Sequence, residues 1–318
     1  MLPSLAKVAK WINAGVHVSV ASSSVLKQLP NDELAWIPDS QCLTNAINST
    51  NATPCVMGDT ASSTTVVDFG DSTADQWALD VAALGTSDHF RVVVYVKAGC
   101  PVGSILVKVG GQSVDPSCAA FRSTVLGDLA GMRPAPSLVL ISELRLSNYE
   151  TPTGGRVSNS SWSSGLATTV RELEKDGLAV AVLHGVPVAT IDPANCIAVY
   201  PRAVTRCTTV RKKADPSGYS AATLAGALAG HAAGVDVEGL FCTKTACPDI
   251  ADGDLTHAGV NHVDETYAKV VGSALGELLG CVTTQHFTNR TAASKFLKDL
   301  DGAKPSAAFL KACAELKP

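Results

Sequence analysis

The chain has 318 residues, of which 46% are apolar and 17% charged, and its formal charge is -4. That is the composition of a packed globular protein, so general disorder is excluded, and the mild negative charge gives no reason to expect nucleic acid as a partner. The basic run Arg211-Lys212-Lys213 reads as a solvated loop.

In chain order, residues 1–60 read as a helix followed by a segment rich in Ser, Asn and Pro, a lead-in that packs on or links to the main domain. Apolar, β-branched runs then stand at 64–69 (TTVVDF), 91–96 (RVVVYV), 137–142 (SLVLIS) and 178–183 (LAVAVL), with a weaker one at 235–241 (VDVEGLF). Helical patterns separate them: Ala74–Leu84, Ala119–Ala130, Trp162–Lys175, Ala221–Ala232, and a last one from Asp264 to about Leu279. Runs without alternation are strands buried on both faces, and intervening helices mean right-handed crossovers. The expected fold is α/β: a three-layer α/β/α sandwich around a parallel sheet of about five strands, spanning residues 61–280. Residues 281–318 add a helical extension containing ASKFLKDL and Cys313.

Ten cysteines occur: Cys42, Cys55, Cys100, Cys118, Cys196, Cys207, Cys242, Cys247, Cys281 and Cys313. An even count favours disulfides. No C-x-x-C pair supports the competing zinc reading, so no metal is assigned. Nearest-neighbour pairing (42/55, 100/118, 196/207, 242/247, 281/313) is the expected connectivity, because each couple brackets a loop or short connection. Disulfides imply an extracytoplasmic setting, a periplasm or cell surface. Yet residues 1–20 do not read as a signal peptide, and no stretch approaches the length of a membrane span. The expectation is a soluble piece of a longer exported or membrane-tethered protein. Four N-x-S/T sequons, at Asn48, Asn51, Asn159 and Asn289, matter only in a glycosylating host.

The chemistry concentrates at 66–77, VVDFGDSTADQW, where a strand ends on Gly70-Asp71-Ser72 and turns into a helix. In open parallel sheets reactive groups gather beyond the carboxyl ends of strands, and helix-start N–H groups there can meet a developing oxyanion. The plainer reading makes Ser72 a helix N-cap and Asp71 a turn former. A serine nucleophile needs a histidine base and commonly a carboxylate behind it. Residues 252–271, DGDLTHAGVNHVDETYAKVV, stand just ahead of the last helix and offer both.

Several landmarks follow one another in order: CVMGD, TTVVDFGDSTADQW, VVYVKAGCP, CAAFRSTVL leading into LVLIS, WSSGLATTVRELEKDGLAVAVLHGVP, FCTKTACP and NHVDETYA. In this order, over roughly residues 40–280, the chain resembles the SGNH-hydrolase domain attached to membrane acyltransferases of the acyltransferase-three family, the O-acetyltransferases of bacterial surface glycans, in its actinobacterial form. The resemblance implies that Ser72 is the nucleophile, with Thr73 where members usually carry histidine. The base is the histidine of a D-x-x-H motif. Asp254-Leu255-Thr256-His257 fits that pattern literally. His262 fits the family spacing better, fourteen residues after Pro248 and five before Tyr267, and Asp264 as a helix N-cap would fix it on the preceding loop. His262 is therefore preferred over His257.

Gly259 stands where the family has its aspartate, which leaves three expectations: Asp254 curls back to serve, a Ser–His pair works alone or with a backbone carbonyl, or activity is weak or absent. Gly99 of KAGCP is the expected oxyanion glycine, or else a turn beside a disulfide. Asn148 is the displaced candidate for the oxyanion asparagine, while Glu143 and Arg145 could equally form a salt bridge. Trp77 and Trp162 read as packing residues, and His184 as a loop histidine that could approach the site.

The resemblance implies an O-acyltransferase domain using no cofactor. It would take an acyl group from a membrane acyltransferase domain and pass it to a sugar hydroxyl of an envelope glycan or glycolipid. The alternatives are a secreted esterase and a degenerate domain that binds glycan or partner.

Overall fold

The computed structural model describes residues 4–30, 42–44, 49–109, 112–113, 115–144 and 149–287. Its centre is a six-stranded sheet: β1 (Cys55–Gly58), β2 (Thr65–Gly70), β3 (Arg91–Val96), β4 (Leu138–Ser142), β5 (Val180–Leu183) and β6 (Ala233–Val235), in the spatial order β1-β3-β2-β4-β5-β6. Five strands are parallel, as the β-branched runs predict, and β1 adds an antiparallel edge along β3.

Two expectations are corrected here. The lead-in supplies that edge strand, which the sequence hides because its side chains are only part-buried. The last strand is not 235–241 but Ala233–Val235. Val237, Leu240 and Phe241 are buried from a short 3-10 turn instead, so their apolar character comes from packing and not from a ladder.

Side chains alternate across each strand and separate two cores. Val66, Val92, Val94, Leu138 and Leu140 face α3 (Ser72–Ser87) and α8 (Glu265–Phe287), with Trp77 and Tyr267 fully enclosed between them. Val67, Phe69, Val93, Val139 and Ile141 face α4 (Asp115–Gly131) and α5 (Asn159–Lys175), which bring Phe121, Val125, Leu166 and Val170. Each fully buried Val, Leu or Ile contributes about 1.5–3 kcal/mol. Trp162 is also enclosed, and its indole N–H donates to Thr223 Oγ1 at 2.9 Å.

The N-terminal helix α1 (Leu5–Gly15) buries Val8 and Ile12 in the first core, the short helices α2 (Ser23–Gln28) and α6 (Pro193–Val199) bring Val25 and Ile197 into a smaller cluster, and the Leu5 N–H reaches Glu277 Oε2 at 2.9 Å. Four of the expected disulfides are present: Cys42–Cys55, Cys100–Cys118, Cys196–Cys207 and Cys242–Cys247. The fifth couple, Cys281 and Cys313, and the predicted helices after residue 287 lie outside what is described. Among the described residues no helix is long and apolar enough to cross a membrane.

Candidate active site

The turn from β2 into α3 explains the sequence Gly70-Asp71-Ser72. A Cβ on Gly70 would stand 1.9 Å from the Ser142 carbonyl oxygen, so only glycine lets β2 end this close to β4. Asp71, and not Ser72, is the N-cap: its Oδ1 accepts from the Thr73 N–H at 2.8 Å and from the Thr73 hydroxyl at 2.7 Å. Its other oxygen accepts from the Leu144 N–H at 3.0 Å, which ties the turn to the end of β4. Burial pushes the Asp71 carboxyl up to about 6, against the opposing pull of the Leu144 and Thr73 bonds. Ser72 is thereby released from capping and sits at the first position of α3 with its hydroxyl free for another partner.

That partner is His262, whose Nε2 lies 3.0 Å from Ser72 Oγ. The ring is carried by a short hairpin, β7 (His257–Ala258) with β8 (His262–Val263), in which Ala258 faces His262. Asp264 caps α8 immediately afterwards, accepting from the Thr266 and Tyr267 N–H groups at 2.8 and 3.1 Å. From the other side, Gln76 Oε1 accepts the Val263 N–H at 3.0 Å. Gln76 is four residues after Ser72, one helical turn along the same face, so α3 positions both the hydroxyl and the strand that holds the imidazole. Burial lowers the His262 imidazole to about 4, which keeps it neutral and able to accept a proton at neutral pH.

The literal D-x-x-H histidine has another task. His257 is buried, its Nε2–H donates to the Pro187 carbonyl at 2.7 Å, and its Nδ1 lies 2.8 Å from Thr256 Oγ1. His257 pairs with Val263 while Ala258 pairs with His262, and adjacent side chains of a strand point to opposite faces, so the hairpin turns His257 away from the face that carries His262. Asp254 does not complete the expected arrangement either: its Oδ1 accepts from Gln28 Nε2 at 3.0 Å. Gly259, at φ 61, makes the hairpin turn.

Gly99 lies in the turn after β3, held against the serine turn by the Lys97 N–H donating to the Gly70 carbonyl at 3.1 Å. Its φ is 66, with nothing within 4 Å of a would-be Cβ, so this turn uses glycine for its left-handed conformation. Among the described residues neither the Ser72 N–H nor the Gly99 N–H has a hydrogen-bond partner, whereas the backbone around them is fastened on every side. Tyr149 donates to the Gly99 carbonyl at 3.1 Å, and Thr169 to the Val102 carbonyl at 3.0 Å. Arg122 donates to the Pro101 and Gly103 carbonyls at 3.1 and 2.9 Å. Glu143 Oε2 accepts from the Val102 and Gly103 N–H groups at 2.7 and 3.1 Å. Cys100–Cys118 anchors the same loop to α4. Asn148 and Arg145 lie outside the described residues.

Sequence reasoning gave no role to Gln76 and treated Glu143 only as a partner for Arg145. The usable signals were a polar residue one turn after the serine, and an acid directly beyond a fully buried strand. Burial, the largest effect, pushes the Glu143 carboxyl up to about 8. His184 follows β5 on the same edge, its Nδ1–H donating to the Gly185 carbonyl at 2.7 Å. Among the described residues no cluster of His, Cys, Asp or Glu is arranged to hold a metal ion.

A hydroxyl at the carboxyl edge of a parallel sheet, an imidazole on its oxygen and two unpartnered N–H groups define an SGNH-type α/β domain. Residues 41–276 match the family described as "SGNH domain (fused to AT3 domains)", and the chain belongs to that family. Among solved structures it is similar to the periplasmic domain of the lipopolysaccharide acetyltransferase of Salmonella ser. Paratyphi A. The match has 12% identity and a TM-score of 0.52 over 87% of this chain and 99% of that one, a likeness of fold. A putative acylhydrolase from Bacteroides fragilis aligns with 14% identity and a TM-score of 0.39, over 76% of this chain and 91% of that one. None of the curated proteins matches the sequence.

Proposed function

We propose that this chain is an extracytoplasmic acyl-transfer domain. In this reading Ser72 accepts an acyl group, acetyl by analogy with the Salmonella protein, from a membrane acyltransferase domain. It then hands that group to a sugar hydroxyl of an envelope glycan or glycolipid. The observation that carries the reading is the 3.0 Å contact between Ser72 Oγ and His262 Nε2. Membership of a family fused to AT3 domains supports the membrane donor, and four disulfides support the oxidising side of the membrane.

His262 Nε2 takes the Ser72 proton as Oγ attacks the acyl carbonyl, and the oxyanion is met by the N–H groups of Ser72 and Gly99. Collapse expels the donor's leaving group, which receives the proton back from His262. The acyl-serine is then attacked by an acceptor hydroxyl deprotonated by the same imidazole, and Ser72 Oγ leaves as it takes that proton back from His262. Water in place of the acceptor makes the site an esterase, so hydrolysis of p-nitrophenyl acetate tests it. Turnover that disappears in Ser72→Ala supports the reading; turnover indifferent to Ser72 overturns it. Gly259, at the family's aspartate position, favours a second reading, a binding module without turnover, and an absence of serine-dependent turnover in the same assay would select it.

A further inference from the structure

A cleft opens on the same edge of the sheet. The ends of β2, β4, β5 and β6 are in register through Gly70, Ser142, Leu183 and Val235. The next residues, Asp71, Glu143, His184 and Asp236, therefore form one row, and at ~4.8 Å per strand His184 stands about 10 Å along it from the serine turn. From His184 opens a cleft of about 670 Å³ whose other walls include Arg211, Lys212, Glu238, Lys244 and Thr245, a volume usual for small-molecule sites.

One loop joins this cleft to the catalytic hairpin. Its Pro187 carbonyl accepts from His257 and its Ala189 N–H donates to the Val260 carbonyl, while the Val188 N–H donates to the Ala214 carbonyl beside the basic segment.

Arg211, Lys212 and Lys244 line the cleft with two acids, Glu238 and Asp215, and Asp236 stands beside it; each of the three acids is already engaged. Glu238 is taken up by Arg211 through Nε at 2.9 Å and through a second, shorter contact. Asp215 accepts from the Ser220 and Ala221 N–H groups at the start of α7 (Tyr219–Gly230). Asp236 accepts from the Glu238 N–H at 2.8 Å and lies 4.0 Å from His184 Nδ1. Among the described residues the ammonium groups of Lys212 and Lys244 have no partner. Both stand on a rigid frame: Val210 pairs with Ala246 in a short antiparallel ladder, the Arg211 N–H donates to the Thr245 carbonyl, and Cys242–Cys247 closes the loop bearing Lys244.

We propose that this cleft is the acceptor subsite and takes a saccharide bearing a phosphate or a carboxylate, the anion held by Lys212 and Lys244 while a hydroxyl of the same molecule reaches Ser72. The assignment rests on the acyl-transfer reading for its role but not for its binding. With Nδ1–H turned to Gly185, His184 keeps Nε2 as an acceptor for a sugar hydroxyl.

The test is calorimetric titration of the full chain carrying Ser72→Ala with glucose-1-phosphate, glucuronate, glucose and inorganic phosphate at low salt. At least one acidic sugar is expected to bind, with an affinity that falls as salt rises and weakens about tenfold in Lys212→Gln/Lys244→Gln. The tighter of the two identifies the anion. Glucose binding equally well, inorganic phosphate binding as tightly as the sugars, no binding by either acidic sugar, or indifference to the double substitution would each overturn the proposal. In the Ser72-intact protein the bound sugar is expected to accelerate release of p-nitrophenol, with a raised half-saturation in the double variant. Lost hydrolysis with retained binding would sink the acyl-transfer reading alone; lost binding with retained hydrolysis would sink the cleft alone.

Discussion

Ser72 and His262 are 190 residues apart in the chain, and their side chains meet at 3.0 Å. A hydroxyl that spent its lone pairs on capping α3 would not be available for this. Asp71 caps in its place, and Gln76, one turn further on, sets the height of the strand that carries the imidazole.

Removing either member of the pair is expected to cost at least about 10³-fold in kcat for ester hydrolysis, and the double variant about as much as either single one, because the two act as a unit. His257→Gln is expected to lower Tm while leaving most of kcat, since its bond goes to Pro187 and not to Ser72. Steady-state kinetics and thermal melts on the three variants check this; a His257 variant as inactive as the His262 variant contradicts it.

Gln76→Ala is expected to lower kcat several-fold to about tenfold with little change in KM, because the bond it removes orients the base and touches no substrate. An equal loss in KM alone would contradict that role. For the opposite turn, Glu143→Gln is expected to retain activity at pH 7, where a carboxyl raised to about 8 is already largely protonated, and Glu143→Ala to lose it as the Val102 and Gly103 N–H groups lose their acceptor.

Much of this was legible in the sequence. Four parallel strands announce themselves as β-branched runs because both their faces are buried, whereas the fifth, Ala233-Gly234-Val235, carries only one β-branched residue. The Gly-Asp-Ser turn is readable because Gly70 meets a carbonyl that no side chain would clear, and His262 because Asp264 marks the start of α8. The edge strand Cys55–Gly58 is only part-buried and carries no such signature. Asp254 and His257 satisfy a spacing rule on paper, but the hairpin that begins at His257 decides which side chain points at the serine, and spacing does not encode that direction. Glu143 and Gln76 act through backbone groups remote in sequence, so their positions beyond a strand and one turn after the serine mark them without revealing what they bind.

The two hairpin histidines give a pH signature. Burial lowers both to about 4, so both are expected to stay neutral at pH 5.5, where an ordinary imidazole is largely charged. Ring-proton NMR titration of the wild-type chain checks this; a His262 ring that titrates near 6.5 contradicts it.

Stability is expected to fall as the pH rises from 5 to 8. Burial raises Asp71 and Asp264 to about 6, Asp80 to about 7, Glu143 and Asp249 to about 8, and Asp68 well above its usual range. A raised acid contributes stability that is fully present below about 4, its unfolded value, and is lost as the pH climbs through its folded value. The two lowered histidines work in the other direction, their contribution being lost as the pH drops from 6.5 towards 4, but six acids outweigh two imidazoles. Melting curves at pH 5 and pH 8 decide it: the higher Tm belongs at pH 5, and a higher Tm at pH 8 contradicts this assignment of buried carboxyls.

The most direct measurement is covalent trapping with a fluorophosphonate followed by peptide mass spectrometry. The adduct is expected on Ser72 in the wild-type chain and in His257→Gln, and is expected to be lost or slowed at least about 10³-fold in His262→Ala. An adduct on another residue, or one that forms on Ser72 at full speed without His262, would contradict the account.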